Sequence, residues 1–279
     1  MKNVVRTLVF NEQVSLTLAD TTEMVNEGIR LHKLSSNIAE IFGKALSIMT
    51  FMSACLKNEK GEISMSLKSE DGGKEIGVSG NQALRLRGFI TTEFGFENIG
   101  LGTQGSLTII RDDGYNRPFV GSCALPLSGN IDEAFEEYYR ISEQLPTRIA
   151  TVVEVNEAGS CVFAGVVVLQ PLPFADVKTL ETVETLKLDE ILQVIKNKGV
   201  EQAAKDNFQT DKSVWELKTA IYKCNCSREY LKGVLVSLGE RQMRQIIQED
   251  GAVRVHCHYC NTDYEFTDED ADNMFKKEE

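Results

Sequence analysis

The first two thirds of the chain alternate between strand-like and helix-like patterns of apolar residues. Residues 2–19 alternate apolar and polar side chains, which predicts a strand exposed on one face. Residues 38–54 carry apolar side chains at helical spacing, and Asn37 with Glu40 predicts a reciprocal cap at the start of this core helix. Between residues 61 and 172, period-two patterns separated by glycine-containing turns predict several antiparallel strands.

One further helix is predicted within this run of strands. Asn130 with Glu133 opens it and Pro146 ends it. Its predicted buried face consists of Ile131, Ala134, Phe135, Tyr138, Ile141 and Leu145. Residues 148–155 and 160–169 then predict two strands joined by a hairpin turn. Because strands and helices occur in blocks, the predicted fold class is α+β, with an N-terminal domain of antiparallel sheet and helices.

The composition changes after Pro171 and Pro173, where the chain becomes rich in Lys, Glu, Leu and Val. Residues 176–198 predict amphipathic helices that have too few apolar residues for a core of their own, so they must pack on another surface. A short helical pattern around Trp215 precedes the cysteine-rich end. The predicted parts are an α+β core domain at 1–174, an amphipathic helical linker at 175–222, and a small C-terminal domain at 223–279.

The overall charge narrows the classes of partner. The 279-residue chain has a formal net charge of −12, which argues against nucleic acid as the principal partner because affinity for nucleic acid comes from Lys and Arg that displace counterions.

The segment Ile38–Leu56 is the longest apolar stretch, but Glu40 and Lys44 interrupt it, so a buried helix is expected and not a membrane span. The first ten residues lack the apolar run of a signal peptide, and a cytoplasmic location is expected.

Four of the seven cysteines form two close pairs near the C-terminus. Cys224 and Cys226 are separated by one residue, Cys257 and Cys260 by two, and thirty residues lie between the pairs. Such spacing brings four sulfurs to the corners of a tetrahedron about 2.3 Å from a metal ion. Four soft thiolates favour a single zinc ion, with iron as the alternative. Because metal binding at such a site is coupled to folding, loss of the ion is expected to unfold this small domain, which supports a redox switch.

The residues beside the cysteine pairs predict the local structure of this domain. Ser227 is expected to cap a helix that runs through residues 230–238, and Gly251 is expected to end the helical insert as a left-handed stop. The segment Tyr264–Phe266, which follows the second pair, is strand-like.

Other interpretations of the quartet are a purely structural zinc knuckle or a nucleic-acid finger. The second is disfavoured because residues 212–279 carry ten Lys and Arg against thirteen Asp and Glu. An enzyme is disfavoured because a closed four-sulfur shell leaves no position for a catalytic water, and no catalytic residue is assigned. The Cys257-x-x-Cys260 motif of a thiol oxidoreductase lies outside any βαβ pattern. His256 and His258 are less favoured as ligands than as surface groups or groups that support the ligands.

Several weaker signals carry little weight. Residues 100–105 match the dinucleotide-binding pattern G-x-G-x-x-G, but a strand-like segment follows where the fingerprint requires a helix. Cys55, Cys123 and Cys161 lie in apolar segments and are expected to be small core residues. His32 has no cysteine or histidine near it in sequence, and packing or capping is expected there.

The chain resembles the Hsp33 family of redox-regulated chaperones. The most specific matches are Cys224-Asn225-Cys226-Ser227-Arg228 and Val255-His256-Cys257-His258-Tyr259-Cys260-Asn261. Supporting matches in the first domain are Leu86-Arg87-Gly88, Gly105-Ser106-Leu107-Thr108-Ile109, Gly121, Tyr138-Tyr139 and Ser142-Glu143-Gln144-Leu145-Pro146. The likeness spans nearly the whole chain and is looser over the first 35 residues.

The resemblance implies a holdase that works without ATP and is inactive while zinc is bound by Cys224, Cys226, Cys257 and Cys260. It further implies that peroxide or hypochlorous acid releases the metal, pairs Cys224 with Cys226 and Cys257 with Cys260 in disulfides, and unfolds the C-terminal domain and linker. The implied partners are unfolding client proteins and, in the oxidised form, a second copy of the chain. In this view, the apolar face of the linker is buried in the reduced state and becomes exposed on oxidation. A zinc-stabilised interaction or transcription-related module without redox switching is the alternative function.

Overall fold

The computed structural model resolves into two compact units, Met1–Lys223 and Cys224–Glu279. The residues it describes are 2–69, 74–92, 105–126, 128, 130–210 and 212–276. The G-x-G-x-x-G match at 100–105 lies almost entirely outside them, as does the predicted turn at 71–73. The segment that follows the match is a strand, as predicted, which confirms that the match does not open a helix.

The first unit contains a five-stranded and a six-stranded sheet. The strands of the first sheet are β1 (Val4–Val9), β2 (Val14–Asp20), β8 (Arg148–Val155), β9 (Cys161–Pro171) and β10 (Glu216–Lys218). Those of the second are β3 (Glu62–Ser69), β4 (Lys74–Asn81), β5 (Arg85–Thr92), β6 (Gly105–Asp112), β7 (Phe119–Ala124) and β11 (Ile221–Tyr222). The orders are β10-β1-β2-β9-β8 and β11-β5-β4-β3-β6-β7, and every pairing is antiparallel except that of β11 with β5.

Helices lie between the two sheets and on one outer face. They are α1 (Thr22–His32), α2 (Ser36–Ala54), α3 (Ile131–Tyr138), α4 (Val177–Thr185), α5 (Leu188–Lys198) and α6 (Val200–Phe208). Helix α2 contacts β2, β8 and β9 of one sheet and β3, β4 and β5 of the other, so it forms the centre of the main core. Helices α4 to α6 cover the opposite face of the five-stranded sheet. The predicted α+β class and the hairpin that joins β8 to β9 are confirmed.

The prediction of one half-exposed strand over residues 2–19 is wrong. This segment forms two paired strands, and the second of them, β2, is buried on both faces: Leu16 and Leu18 meet the helices α5 and α6, while Ala19 meets the main core. The alternation of β2 was misleading because the residue between its leucines, Thr17, is polar yet buried. The second face of β2 is covered by helices α5 and α6, which lie more than 150 residues later in the sequence. The periodicity of a strand does not show whether a distant segment covers its outer face.

The ends of two helices also differ from the prediction. Helix α2 starts at Ser36 behind Ser35, so the predicted cap by Asn37 and Glu40 is wrong, and α1 was not predicted at all. Asn130 does cap α3, accepting a hydrogen bond from the backbone N–H of Asp132. Beyond α3 the chain continues as one π-helical turn, Tyr139–Glu143. A π turn has more residues per turn than an α-helix, so Ile141 leaves the predicted buried face and is exposed.

The linker helices pack as the sequence requires, on another element's surface. Of their predicted apolar positions, Val183, Leu188, Ile191, Leu192 and Ile195 are buried, as is Trp215 nearby. Leu180 is half-buried, and Val177 at the start of α4 is exposed. Trp215 itself follows a single 3-10 turn, Lys212–Val214, and precedes β10, so the short helix predicted around it is wrong. The longest apolar stretch, α2, is a buried core helix. Across the described residues, the helices lack either the length or the apolar content needed to cross a membrane.

The second unit is built from α7 (Arg228–Leu238), α8 (Glu240–Asp250), β12 (Val253–Cys257), β13 (Thr262–Phe266) and α9 (Asp268–Phe275). The two helices lie between the cysteine pairs in sequence, and β12 and β13 form an antiparallel hairpin. Gly251 ends α8 in the left-handed conformation and Ser227 caps α7, both as predicted. The buried apolar cluster of this unit is small: Leu235, Met243, Ile247, Val253, Phe266 and Ala271.

Two glycines that lie inside helices are expected to respond oppositely to alanine. A Cβ at Gly28 of α1 would lie 2.5 Å from the fully buried Phe42 ring, whereas one at Gly233 of α7 meets nothing within 4 Å. We expect Gly28→Ala to lower the free energy of unfolding of the first unit by about 1–3 kcal/mol through overpacking. The control Gly233→Ala should raise that of the second unit by about 0.5–1 kcal/mol through helix propensity.

Denaturant unfolding measures the first effect through Trp215 fluorescence, and hydrogen exchange of α7 measures the second. A stabilising Gly28→Ala would contradict the packing of Phe42 against α1.

Candidate metal centre

The two cysteine pairs are positioned by different local structures. Cys224 and Cys226 lie in the extended segment before α7, whose first turn is fixed by Ser227, since its hydroxyl accepts a hydrogen bond from the N–H of Tyr230 at 3.1 Å. Cys257 ends β12, and Cys260 lies in the tight turn that leads into β13. The N–H of Asn261, a residue with a left-handed φ of 53°, donates to the Cys257 carbonyl at 2.8 Å and closes this turn.

The four sulfurs converge. Their Sγ atoms all lie within 4.8 Å of one another. Cys224 Sγ is 3.3 Å from Cys226 Sγ and 3.6 Å from Cys257 Sγ, and Cys226 Sγ is 3.1 Å from Cys260 Sγ. The edge of a tetrahedron of thiolates around zinc is about 3.8 Å, from metal–sulfur distances of about 2.3 Å. Four soft donors at close to this spacing can hold a metal ion, and each of them is half-buried.

The surroundings set the protonation of the free thiols. Burial raises the pKa of Cys224, Cys226 and Cys260. At Cys257 burial acts in the same direction, but hydrogen bonds from the backbone N–H groups of Cys260 and Tyr259, together with those from the Cys226 and Cys224 thiols, outweigh it and lower the pKa. Because the ligand form is the thiolate, binding of a cation displaces protons from the sulfurs whose pKa is raised.

Strand β13 brings two hydroxyl groups to the sulfurs, which sequence reasoning missed. Tyr264 Oη lies 3.3 Å from Cys226 Sγ, and Thr262 Oγ1 lies 3.3 Å from Cys260 Sγ. Successive side chains of a strand point to opposite faces, so residues 262 and 264 share the face that meets the quartet. The spacing of these two hydroxyl residues just after Cys260 was a usable signal, because the strand itself was predicted.

The histidines and the other cysteines lie elsewhere. His256 Nδ1 lies 2.7 Å from Asp263 Oδ1, and its ring meets the ring of His258 edge-on. Neither belongs to the group of close metal-ligating side chains found in the described residues. Cys123 and Cys161 are buried and Cys55 is half-buried against the main core, as expected of small core residues. His32 Nε2 lies 3.1 Å from the Tyr222 hydroxyl, and its ring packs on Phe42.

An arginine beside the first pair connects α7 to α9. Arg228 Nη2 donates to both carboxylate oxygens of Asp270, at 2.9 and 2.8 Å, and the guanidinium lies 4.5 Å from the centre of the Phe266 ring. Asp270 also accepts from the N–H of Thr267 at the start of α9, and these contacts lower the pKa of its carboxyl group. The interaction therefore orients the segment that carries Cys226 against the end of β13.

We expect Arg228→Lys to destabilise the second unit by about 0.5–1.5 kcal/mol, because an ammonium group reproduces neither the planar stacking nor the double hydrogen bond. Hydrogen exchange of α7 and α9 in the metal-loaded protein measures the change. The matched control is Arg254→Lys, whose ion pair with Glu265 joins two exposed side chains. Equal effects of the two substitutions would show that the stacked geometry contributes nothing.

Comparison with known proteins identifies the family and supports the fold. The family model "Hsp33 protein" matches residues 2–267. A 33 kDa chaperonin of Clostridium perfringens strain SM101 is 30% identical over 99% of this chain and 92% of its own length. One from Bacillus cereus strain B4264 is 32% identical over 98% of both chains. The crystal structure of a 33 kDa chaperonin from Thermotoga maritima, 23% identical, superposes with a TM-score of 0.79 over 98% of this chain and 97% of that one. The chain therefore belongs to the Hsp33 family of chaperones.

Proposed function

We propose that this chaperone is an ATP-independent holdase of a reducing compartment such as the cytoplasm, and that oxidation of its cysteine quartet switches it on. The observation that carries the proposal is the convergence of Cys224, Cys226, Cys257 and Cys260 in a unit with a small apolar core. A unit of this size depends on its metal for stability, so a change at the sulfurs becomes a change of fold. Zinc is the ion that four thiolates favour, and when bound it would cross-link the two cysteine pairs.

The oxidative step follows from the proposed pairing of Cys224 with Cys226 and of Cys257 with Cys260. In each pair one thiolate attacks a peroxide oxygen, the O–O bond breaks, and hydroxide leaves. The resulting sulfenic acid is attacked by the second thiolate, a disulfide forms, and the other oxygen leaves as hydroxide. Two electrons pass from each pair to one peroxide molecule. A disulfide sulfur no longer carries the negative charge that made it a metal ligand.

The proposed effector is the amphipathic linker at 175–222. Its helices α4 to α6 lay an apolar face on β1, β2 and β9, and the buried side chains of this second core come from both partners. If the linker, placed between a core domain at 1–174 and a metal domain at 223–279, unfolds with the latter, both faces become exposed. Extended apolar surface of this kind binds unfolding client proteins by burial of their own apolar residues. Exposed faces also favour association of two oxidised chains.

The decisive experiment follows aggregation of a thermally unfolded client protein with the reduced, metal-loaded chain and with the peroxide-treated chain, while a chromogenic chelator reports metal release. We expect suppression of aggregation only after oxidation, in step with the release of one zinc ion per chain. If the metal leaves and holdase activity does not appear, the redox proposal fails. Equal activity of the reduced form would reject the switch alone. A constitutive zinc-stabilised interaction module predicts the loss of its function on oxidation.

A further inference from the structure

The contact between Tyr264 and Cys226 joins the two halves of the quartet. Tyr264 Oη lies 3.3 Å from the sulfur of a residue 38 positions earlier, on the opposite side of the α7–α8 insert. In the described residues this sulfur is the hydroxyl's one hydrogen-bond partner. A metal-binding Cys226 is a thiolate without a proton, so Tyr264 must be the donor in that state.

The rest of the quartet lacks an equivalent contact. The hydroxyl of Thr262 accepts from the Cys260 thiol at 3.3 Å and donates its own proton to the Cys260 carbonyl, also at 3.3 Å, so that proton is already used. The described contacts of Cys224 and Cys257 with donors outside the quartet's own sulfurs are to backbone N–H groups. Cys226 is thus the sulfur with a dedicated side-chain donor.

We propose that the Tyr264 hydroxyl protects Cys226 from oxidants, and that it sets the rate at which this sulfur reacts with peroxide. A hydrogen bond to a thiolate withdraws electron density from the lone pair that must attack the peroxide oxygen, and it lowers the nucleophilicity of the sulfur. The aromatic ring, partly buried against the small apolar core, holds the hydroxyl in place. Tyr264 therefore acts through Cys226 as a positioning and tuning residue. Its role deepens the proposed redox function, on which it rests.

The chemical step that Tyr264 slows is the first one at Cys226. The thiolate forms a bond to one oxygen of hydrogen peroxide, the O–O bond breaks, and hydroxide leaves with the electron pair. The sulfur is oxidised to sulfenic acid, and peroxide is reduced. As negative charge moves from sulfur to the departing oxygen, the hydrogen bond from Tyr264 weakens. This weakening in the transition state raises the barrier to oxidation. A protein that lacks the hydroxyl has no such bond to weaken, so its barrier is lower.

The test compares Tyr264→Phe with the control Tyr230→Phe in the full-length, zinc-loaded protein. Tyr264→Phe keeps the ring and deletes one hydroxyl, whereas Tyr230 is an exposed residue of α7 in the same unit. Peroxide is added under pseudo-first-order conditions, the reaction is quenched with an alkylating reagent, and mass spectrometry follows the reduced fraction of Cys226. Because only part of this charge-assisted hydrogen bond is lost in the transition state, we expect about threefold to tenfold faster oxidation of Cys226 in Tyr264→Phe.

A second readout separates tuning from simple structural support. Transfer of zinc to a chelator without oxidant should proceed at the same rate in Tyr264→Phe, Tyr230→Phe and the unaltered protein. Unchanged oxidation of Cys226 in Tyr264→Phe overturns the inference. So does an equal acceleration of zinc loss with and without peroxide, which would reduce the hydroxyl to a structural role. Because thiol oxidation is measured directly, these outcomes do not depend on holdase activity, whose absence would reject the proposed function alone.

Discussion

Cys260→Ser is expected to abolish stoichiometric zinc binding and to leave residues 224–276 unfolded. At the usual 0.05–0.15 kcal/mol per residue, a unit of 56 residues would have a stability of only about 3–8 kcal/mol. Structural zinc contributes apparent binding energies of about 10–16 kcal/mol that are folding energy in such domains. A serine hydroxyl is a poor ligand in place of a thiolate, so the greater part of this contribution is lost. Metal analysis of the purified protein and hydrogen exchange across α7, α8 and β12 measure the two effects.

The matched control for this substitution is Cys55→Ser, which changes a half-buried cysteine of the first unit in the same chemical way. This variant should retain one zinc ion per chain, and hydrogen exchange in its second unit should remain as slow as in the unaltered protein. If Cys260→Ser also kept its metal and its slow exchange, the four-sulfur site would be wrong, and a three-ligand or histidine-supported site would have to replace it.

The local structure beside each cysteine pair could be predicted from the sequence, because it depends on a few neighbouring residues. Two pairs with tight spacing, a serine cap behind Cys226 and a glycine stop at Gly251 each act within a few residues, and the structure places all of them as predicted. Strand alternation after Cys260 could place Thr262 and Tyr264 on one face, but it does not identify Cys226 as the partner of Tyr264. Nor does spacing identify Asp270 as the partner of Arg228. Both partners depend on how the insert folds back, which joins residues about 40 positions apart.

Several features of the first unit could not be predicted from local sequence patterns. Gly88 and Gly121 lie in segments that resemble the family, yet the reason for a glycine becomes visible only in three dimensions. A Cβ at Gly88 would lie 2.6 Å from the Phe42 ring, and one at Gly121 would lie 2.8 Å from the Tyr138 ring. Similarly, β2 is buried on both faces because the distant linker covers it. Periodicity reports the state of one segment, and it misses a layer that another segment adds.

Leu192→Glu is expected to make the protein a holdase without oxidation. Leu192 of α5 is 1% exposed and packs over Gly165 of β9, in the apolar interface between the linker helices and the five-stranded sheet. An unpaired carboxylate buried at this position would cost several kcal/mol, which opposes the packing of the linker helices on the sheet. The linker should therefore leave the sheet while the cysteine quartet remains reduced and metal-bound.

The protein's single tryptophan provides the measurement. Trp215 is buried in the same interface, with its indole N–H 3.2 Å from the Thr210 hydroxyl, so release of the linker should shift its emission to longer wavelength. Suppression of client aggregation should appear in the same reduced sample, with zinc content unchanged. Hydrogen exchange of β3 to β6 checks that the main core stays folded.

The matched control is Val177→Glu, which places the same charge on α4 at a side chain that is 69% exposed. It should leave both the emission of Trp215 and the holdase activity at the level of the unaltered reduced protein. If Leu192→Glu shifts the emission and gives no holdase activity, the face beneath the linker does not bind clients. The metal site would then control some other surface. If activity appears with zinc still bound, release of the linker is sufficient for holdase activity without any change at the sulfurs.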